Sequence, residues 1–269
     1  MSRKTAGFVL AATLLAVAPV AAMAAGEGPF NFDRAPGRLP KNVVPVDYDI
    51  AVTPDVAART FTGAESVSLR FRTATDKVVF NTLNLKVANV RLDGQPVAGV
   101  NTDNGAQLTT VTLAAPVHAG MHRLTLSYSG LINTAPQGLF VQSYATAGGH
   151  LQVMLSTQME ATDARRMFPC WDEPAFRAAF ALTATLPADW AAVSNMPVAR
   201  RTVHGKLATT TFVRSPRMPS YLVDFNAGDL REISGSLGKV RLGVWAVAGR
   251  QSDGLVALAS IVSKAVREH

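Results

Sequence analysis

From residue 45 onward the chain alternates apolar and polar side chains with a period of two, beginning with Val46-Asp47-Tyr48-Asp49-Ile50-Ala51-Val52. Strict alternation puts every second side chain on one face, which is the pattern of a half-buried strand. The same pattern recurs over 61–72, 77–80, 86–92, 108–113, 123–128 and 151–155. Turn pairs punctuate these runs: Asp93-Gly94, Asn104-Gly105, Ala119-Gly120 and Gly148-Gly149. After residue 176 the rhythm returns over 180–185 and 203–213, the latter folded on a His204-Gly205 turn, and then over 222–225 and 239–245. Short strands at regular spacing, with almost no helical window, predict a mainly β chain built as an antiparallel β-sandwich or a set of stacked sheets. The period changes once. In 252–267 the apolar residues Leu255, Leu258, Ala259, Val262, Ala265 and Val266 recur at helical spacing, with Ser252 or Asp253 as cap and Lys264 and Arg267 at the C-terminal end. This C-terminal amphipathic helix has no partner helix, so its stripe is expected to begin a domain that the sequence does not contain.

The front of the chain is of a different kind. Arg3 and Lys4 precede an uncharged apolar run over 8–20, and Ala22-Met23-Ala24 supplies small residues before a cleavage point, so 1–24 is expected to be a signal peptide and the mature chain exported, periplasmic or secreted. No later run is long enough for a stable membrane span. Residues 25–41 are rich in Gly and Pro and predict an extended N-terminal arm. The formal net charge of +7 includes both leader cations, and the remaining Arg and Lys are scattered rather than interleaved with aromatics, which argues against a nucleic-acid partner. One cysteine precludes an intrachain disulfide, so about 245 mature residues must stand on their hydrophobic core.

Chemistry concentrates in 157–176, TQMEATDARRMFPCWDEPAF. Buried charges are costly unless paired, so arginines this close to several acids imply an ion-pair lattice or a site. Cys170 has no histidine nearby to activate it and reads as a packed thiol. His118 and His122 have i, i+4 spacing, but a glycine lies between them and no glutamate, so they read as surface-loop histidines; no metal ligands are expected in this chain. No serine elbow is present, and Ser234-Gly235-Ser236 reads as a loop. No catalytic residue is expected here. Glu160 ends an apolar-alternating run where a strand hands over to a loop. It either binds a cationic group or pairs with Arg165 or Arg166.

The segment resembles the N-terminal domain of the zinc aminopeptidases of the aminopeptidase N type, the gluzincin group. Thr157, Gln158, Glu160, Ala164, Arg165, Phe168, Pro169, Cys170, Asp172, Glu173 and Pro174 match that family's pattern. Leu39-Pro40 to Tyr48, Gly138-Leu139-Phe140, and Met218-Pro219-Ser220-Tyr221-Leu222 with Phe225 and Gly228-Asp229 resemble further family segments. The resemblance implies a saddle of β-sheets covering a zinc-bearing catalytic domain. It implies that Glu160 binds the free α-amino group of a peptide, that Gln158 and Met159 help line the pocket for the first side chain, and that Arg165, Asp172 and Glu173 are mainly structural. The family's zinc motif, its downstream glutamate and its catalytic tyrosine have no counterpart, so zinc is a family cofactor without ligands in this chain.

The expected division is therefore a signal peptide over 1–24, an arm over 25–41, an aminopeptidase N-like β domain over 42–248 and the start of a truncated catalytic domain over 249–269. Two functions follow. One is the substrate-amine-anchoring part of an exported zinc aminopeptidase, whose partners are the peptide N-terminus and a catalytic domain from the same gene or a separate chain. The other is a free-standing periplasmic β-sandwich that binds peptides or other partners. An exposed apolar stripe on the terminal helix favours the first and a packed one the second. Residue preference and oligomeric state are not encoded in these patterns.

Overall fold

The period-two runs become strands wherever one face is covered. The computed structural model of the protein describes residues 30–146 and 148–267, so the expected signal peptide over 1–24 lies outside the described residues. In chain order the strands are β1 (Val43–Asp55), β2 (Thr60–Phe71), β3 (Thr75–Asn81), β4 (Lys86–Leu92), β5 (Gln95–Pro96), β6 (Gly99–Asp103), β7 (Leu108–Val117), β8 (Gly120–Leu131) and β9 (Gly138–Ala145). They continue as β10 (Leu151–Gln158), β11 (Ala179–Pro187), β12 (Ala191–Ser194), β13 (Val198–His204), β14 (Leu207–Phe212), β15 (Phe225–Gly228), β16 (Leu230–Leu237) and β17 (Val240–Val247), followed by helix α1 (Gln251–Arg267).

The strands form four sheets. The largest runs β13-β14-β11-β1-β2-β8-β4-β5; the others are β12-β15-β10-β9, β3-β7-β6 and the hairpin β16-β17. The mainly β, antiparallel expectation holds. Among the described residues one pairing between strands departs from it: β1 lies parallel to β11, with Asp47 opposite Ala179 through Val52 opposite Ala184. Alternation reports which face is buried and is blind to strand direction, so the departure had no local signal.

Strand β1 shows how composition sets geometry. Tyr48, Ile50 and Val52 are buried while Asp49 and Ala51 between them face outward or lie partly open. Burying each such side chain contributes about 1.5–3 kcal/mol. Pro45 has no N–H for a ladder, and the β1–β2 register slips between Pro45 and Asp47, which places the proline at a bulge. Inside, Tyr48 stacks on Phe180 at 4.8 Å and meets Phe168 edge-on at 6.2 Å.

The chain divides into two units, Met1–Ala35 and Pro36–His269. In the first, a 3-10 turn over Phe32–Arg34 is capped by the Asn31 side chain, whose Oδ1 accepts from the N–H groups of Asp33 and Arg34. In the second, the arm residues Arg38 and Leu39 donate their backbone N–H groups to Glu173 Oε1 at 2.6 and 2.9 Å.

Two expectations change. Ser234-Gly235-Ser236 lies inside β16 rather than in a loop, paired with β17. A Cβ at Gly235 would stand 3.1 Å from Leu258, so glycine is there to admit the helix. His122 is on β8, not in a loop: its Nδ1 lies 2.7 Å from Asp93 Oδ2 and its Nε2 3.1 Å from the His118 carbonyl. Burial raises the Asp93 carboxyl, but the bonds from His122 and from Arg123 N–H outweigh it and hold the group below its usual range. Helix α1 packs on the β16-β17 hairpin through Gly254 and Leu258, and Leu255, Val256 and Ile261 are 57%, 71% and 48% exposed. The side chains of Val262, Ala265 and Val266 lie outside the described residues.

One carboxyl is buried with no cation beside it. Glu65 on β2 is 5% exposed, and its Oε2, like the Tyr128 hydroxyl, finds no hydrogen-bond partner among the described residues. Burial pushes its carboxyl well above the ordinary value of 4.5, so the folded protein keeps a proton that the unfolded chain releases above that pH. The stability carried by this neutral form is complete below the unfolded value and falls as pH rises toward the folded one. Glu65→Gln keeps the neutral shape. In urea unfolding from pH 4.5 to 7.5, its midpoint is expected to fall less steeply than the wild-type midpoint; parallel slopes would show that Glu65 is ionised in the fold.

Candidate functional site

The segment 157–176 closes the end of the four-stranded sheet. Strand β10 pairs with β9 as far as Gln158 opposite Gly138, after which the chain turns: Asp163 N–H donates to Met159 O at 2.9 Å and a 3-10 turn follows over Ala164–Arg166. Gly138 is needed for this approach. Its φ is +61°, and a Cβ there would lie 2.7 Å from Arg166 Cβ and 3.2 Å from Asp163 O.

Beyond the turn the chain dives into the core. Ala164, Met167, Phe168 and Cys170 are fully buried and Trp171 nearly so. Cys170 exchanges backbone hydrogen bonds with Asn81, at 2.7 and 3.1 Å, and Trp171 N–H donates to the Tyr48 hydroxyl at 3.3 Å. Burial first, and then the nearby Asp172 carboxylate, push the Cys170 thiol up, which keeps it protonated and unreactive, as expected of a packed thiol.

The arginines are committed inside this network. Arg165, 8% exposed, donates Nε to Asp172 Oδ2 at 3.0 Å, Nη2 to Asp172 O at 2.9 Å and Nη1 to Gln107 Oε1 at 2.9 Å. Asp172 in turn accepts the Ser220 hydroxyl at 2.5 Å and gives its N–H to Asn81 Oδ1 at 3.1 Å. Arg166 pairs with Asp163 at 2.6 Å. The local alternative, Glu160 paired with Arg165 or Arg166, is therefore not what forms.

Glu160 and Gln158 are exposed, and between them Met159 turns into the core with 2% exposure. The Glu160 N–H donates to Gln158 Oε1 at 3.3 Å, the Glu160–Ala161 peptide bond is cis, and among the described residues the Glu160 carboxylate makes no ion pair. The arrangement is a negative side chain at a strand end, backed by a rigid network whose own charges are balanced. A carboxylate so placed can accept a charge-assisted bond from a cation. Among the described residues no set of three or more His, Cys, Asp or Glu is grouped to hold a metal.

Sequence reasoning singles out Glu160, Gln158 and Met159 as expected site residues but not Gln107, Ser220 or Asp224 as the partners that hold this region from 48 to 67 positions away in the chain. Nothing local marks them.

The family model for the Peptidase M1 N-terminal domain matches residues 44–222, from β1 to the turn before β15. The chain belongs to this family. Aminopeptidase N of Acetobacter pasteurianus is 42% identical over 247 residues, covering 91% of this chain and 70% of that protein. Aminopeptidase M1-B of rice, Oryza sativa subsp. japonica, is 35% identical over 228 residues, 84% of this chain and 26% of that protein. Alanine/arginine aminopeptidase of Saccharomyces cerevisiae is 32% identical over 234 residues, 85% of this chain and 27% of that protein. This M1 N-terminal domain chain thus spans most of the bacterial relative and little more than a quarter of the rice and yeast ones.

The Arg165–Asp172 pair gives this M1 domain a sharp test. Asp172→Asn leaves a buried guanidinium without its anion, and equilibrium unfolding in urea is expected to show a loss of about 3–5 kcal/mol. Arg165→Met with Asp172→Leu removes both charges and is expected to recover most of that loss. A single-variant cost below about 1 kcal/mol would mean that the pair does not hold the segment.

Proposed function

We propose that this chain is the N-terminal, substrate-amine-anchoring part of an exported zinc aminopeptidase that releases N-terminal residues from peptides. The observation that carries the reading is the Glu160 carboxylate, exposed at the end of β10 and without an ion pair among the described residues, although two arginines lie within six positions of it. An ammonium group brought to such a carboxylate gains a charge-assisted bond of about 1.5–3 kcal/mol. In this role Glu160 holds the α-amine of the peptide, Gln158 flanks it from the surface, and Met159 supports the pocket for the first side chain from the core side.

The residues described here do not fit zinc, and no step of hydrolysis is routed through this chain. In the proposal the metal and the catalytic groups come from a catalytic domain, of the same gene or a separate chain, which 249–269 begins. Export through a signal peptide over 1–24 belongs to the same reading. Among the described residues no helix is long and apolar enough to cross a membrane. The exposed apolar side chains Leu255, Val256 and Ile261 of α1 support this reading over that of a free-standing module.

The amine reading is tested by titrating the chain with L-alaninamide and with its N-acetyl derivative, following backbone amide shifts by NMR. The free amine is expected to move the signals of 158–163 and the acetylated compound to leave them in place. Glu160→Gln is expected to weaken binding by about tenfold or more. Equal binding of the two compounds, or an unaffected Glu160→Gln variant, would sink the proposal.

A further inference from the structure

Strand β10 parts from its inner neighbour before it ends. It pairs with β15 at one position, Leu155 opposite Ala227. The same register sets Thr157 opposite Phe225, where a side chain takes the place of the backbone ladder. The Thr157 hydroxyl accepts the Phe225 N–H at 2.9 Å and lies 3.2 Å from Phe225 O and 3.3 Å from Asp224 Oδ1. It has one proton, so it donates to one of these two oxygens at a time while accepting from the amide.

Asp224 is tied on every side. Its two carboxylate oxygens accept from Asn226 Nδ2 at 3.1 and 3.0 Å, its N–H donates to Asn195 Oδ1 at 2.8 Å, and its carbonyl accepts the Ser194 hydroxyl at 2.6 Å. Asn195 is itself fixed, through Nδ2, to Leu222 O at 2.7 Å. The Asp224 oxygen, one of the two toward which Thr157 can donate, is thus held by its own hydrogen bonds. On its other edge β10 keeps the β9 ladder through Thr157 opposite Leu139 and Gln158 opposite Gly138. The last turn of backbone before Glu160 is thus held by a strand on one side and by one hydroxyl on the other.

We propose that Thr157 and Asp224 are positioning residues for Glu160, the hydroxyl of the first and the carboxylate of the second setting where the chain leaves the sheet. The proposal rests on the reading of Glu160 as the amine anchor and adds the residues that aim it. A carboxylate displaced by a fraction of an ångström loses the alignment that gives a charge-assisted bond its strength, so these residues act on binding through where they hold the chain.

The test uses the full chain and L-alaninamide. Thr157→Val replaces the hydroxyl with a methyl of the same shape, and Thr157→Ser keeps the hydroxyl. Thr157→Val and Asp224→Ala are expected to weaken binding by about three- to tenfold, with Thr157→Ser near wild type. Hydrogen exchange of the Asp163 amide, which closes the turn onto Met159 O, is expected to accelerate in Thr157→Val and to return in Thr157→Ser. If Thr157→Val binds like wild type while Glu160→Gln does not, the positioning role is wrong and the amine reading stands. If Thr157→Ser fails with Thr157→Val, the hydroxyl is not the agent and the proposal falls. If the wild-type chain binds no amine, the amine reading fails, and the Asp163 exchange decides the placement: unchanged in Thr157→Val overturns it, accelerated and rescued upholds it.

Discussion

The buried Arg165–Asp172 pair is the constraint on which the rest of the structure leans. Through it the segment after β10 is joined to Gln107 at the head of β7, to Ser220 before β15 and, by way of Asn81, to the end of β3. These contacts draw two of the four sheets, β3-β7-β6 and β12-β15-β10-β9, onto one stretch of chain. A guanidinium in such a place is tolerable only because each of its nitrogens has a partner, and the acid it meets, Asp172, is itself buried at 1% exposure. The apolar residues around the pair, Phe168, Cys170 and Trp171, exclude water and so raise both its strength and the cost of breaking it.

That commitment explains why Glu160 is open. In a segment where the arginines were merely near their acids, a surface carboxylate would find one of them. Here Arg165 points into the core and Arg166 is taken by Asp163. The ion-pair lattice and an open carboxylate, alternatives when only the local sequence is considered, occur side by side: Asp172 and Asp163 take the two arginines, and among the described residues Glu160 is left without an ion pair.

Strands with one covered face were readable because burial of alternate residues imposes the period, as in 46–52 and 61–72. Strands outside that condition were not. The start of β9 buries Gly138, Leu139 and Phe140 in succession, and β12 half-buries all four of its residues, so neither alternates. In β16 the glycine that reads as a turn is there because Leu258 crosses it. At the site, the charge of Glu160 and its place at a strand end could be seen in the sequence, and so could the packed character of Cys170. Where Arg165 would point could not, since its partner Gln107 lies 58 positions away and is brought in by a sheet whose neighbours no local pattern specifies.

The parallel pairing of β1 with β11 has a consequence in time. The two strands are joined across more than 120 positions, and everything in the other sheets up to β10 lies between them. Contacts of such separation carry a large loop-closure cost and form late. As the chain emerges from the N-terminus, β1 and β2 can zip into a hairpin at once, but the second edge of β1, with its apolar Ile50 and Val52, stays unpaired until residue 184 has appeared. A nascent form of this protein therefore presents an unpaired strand edge while more than 120 further residues are made.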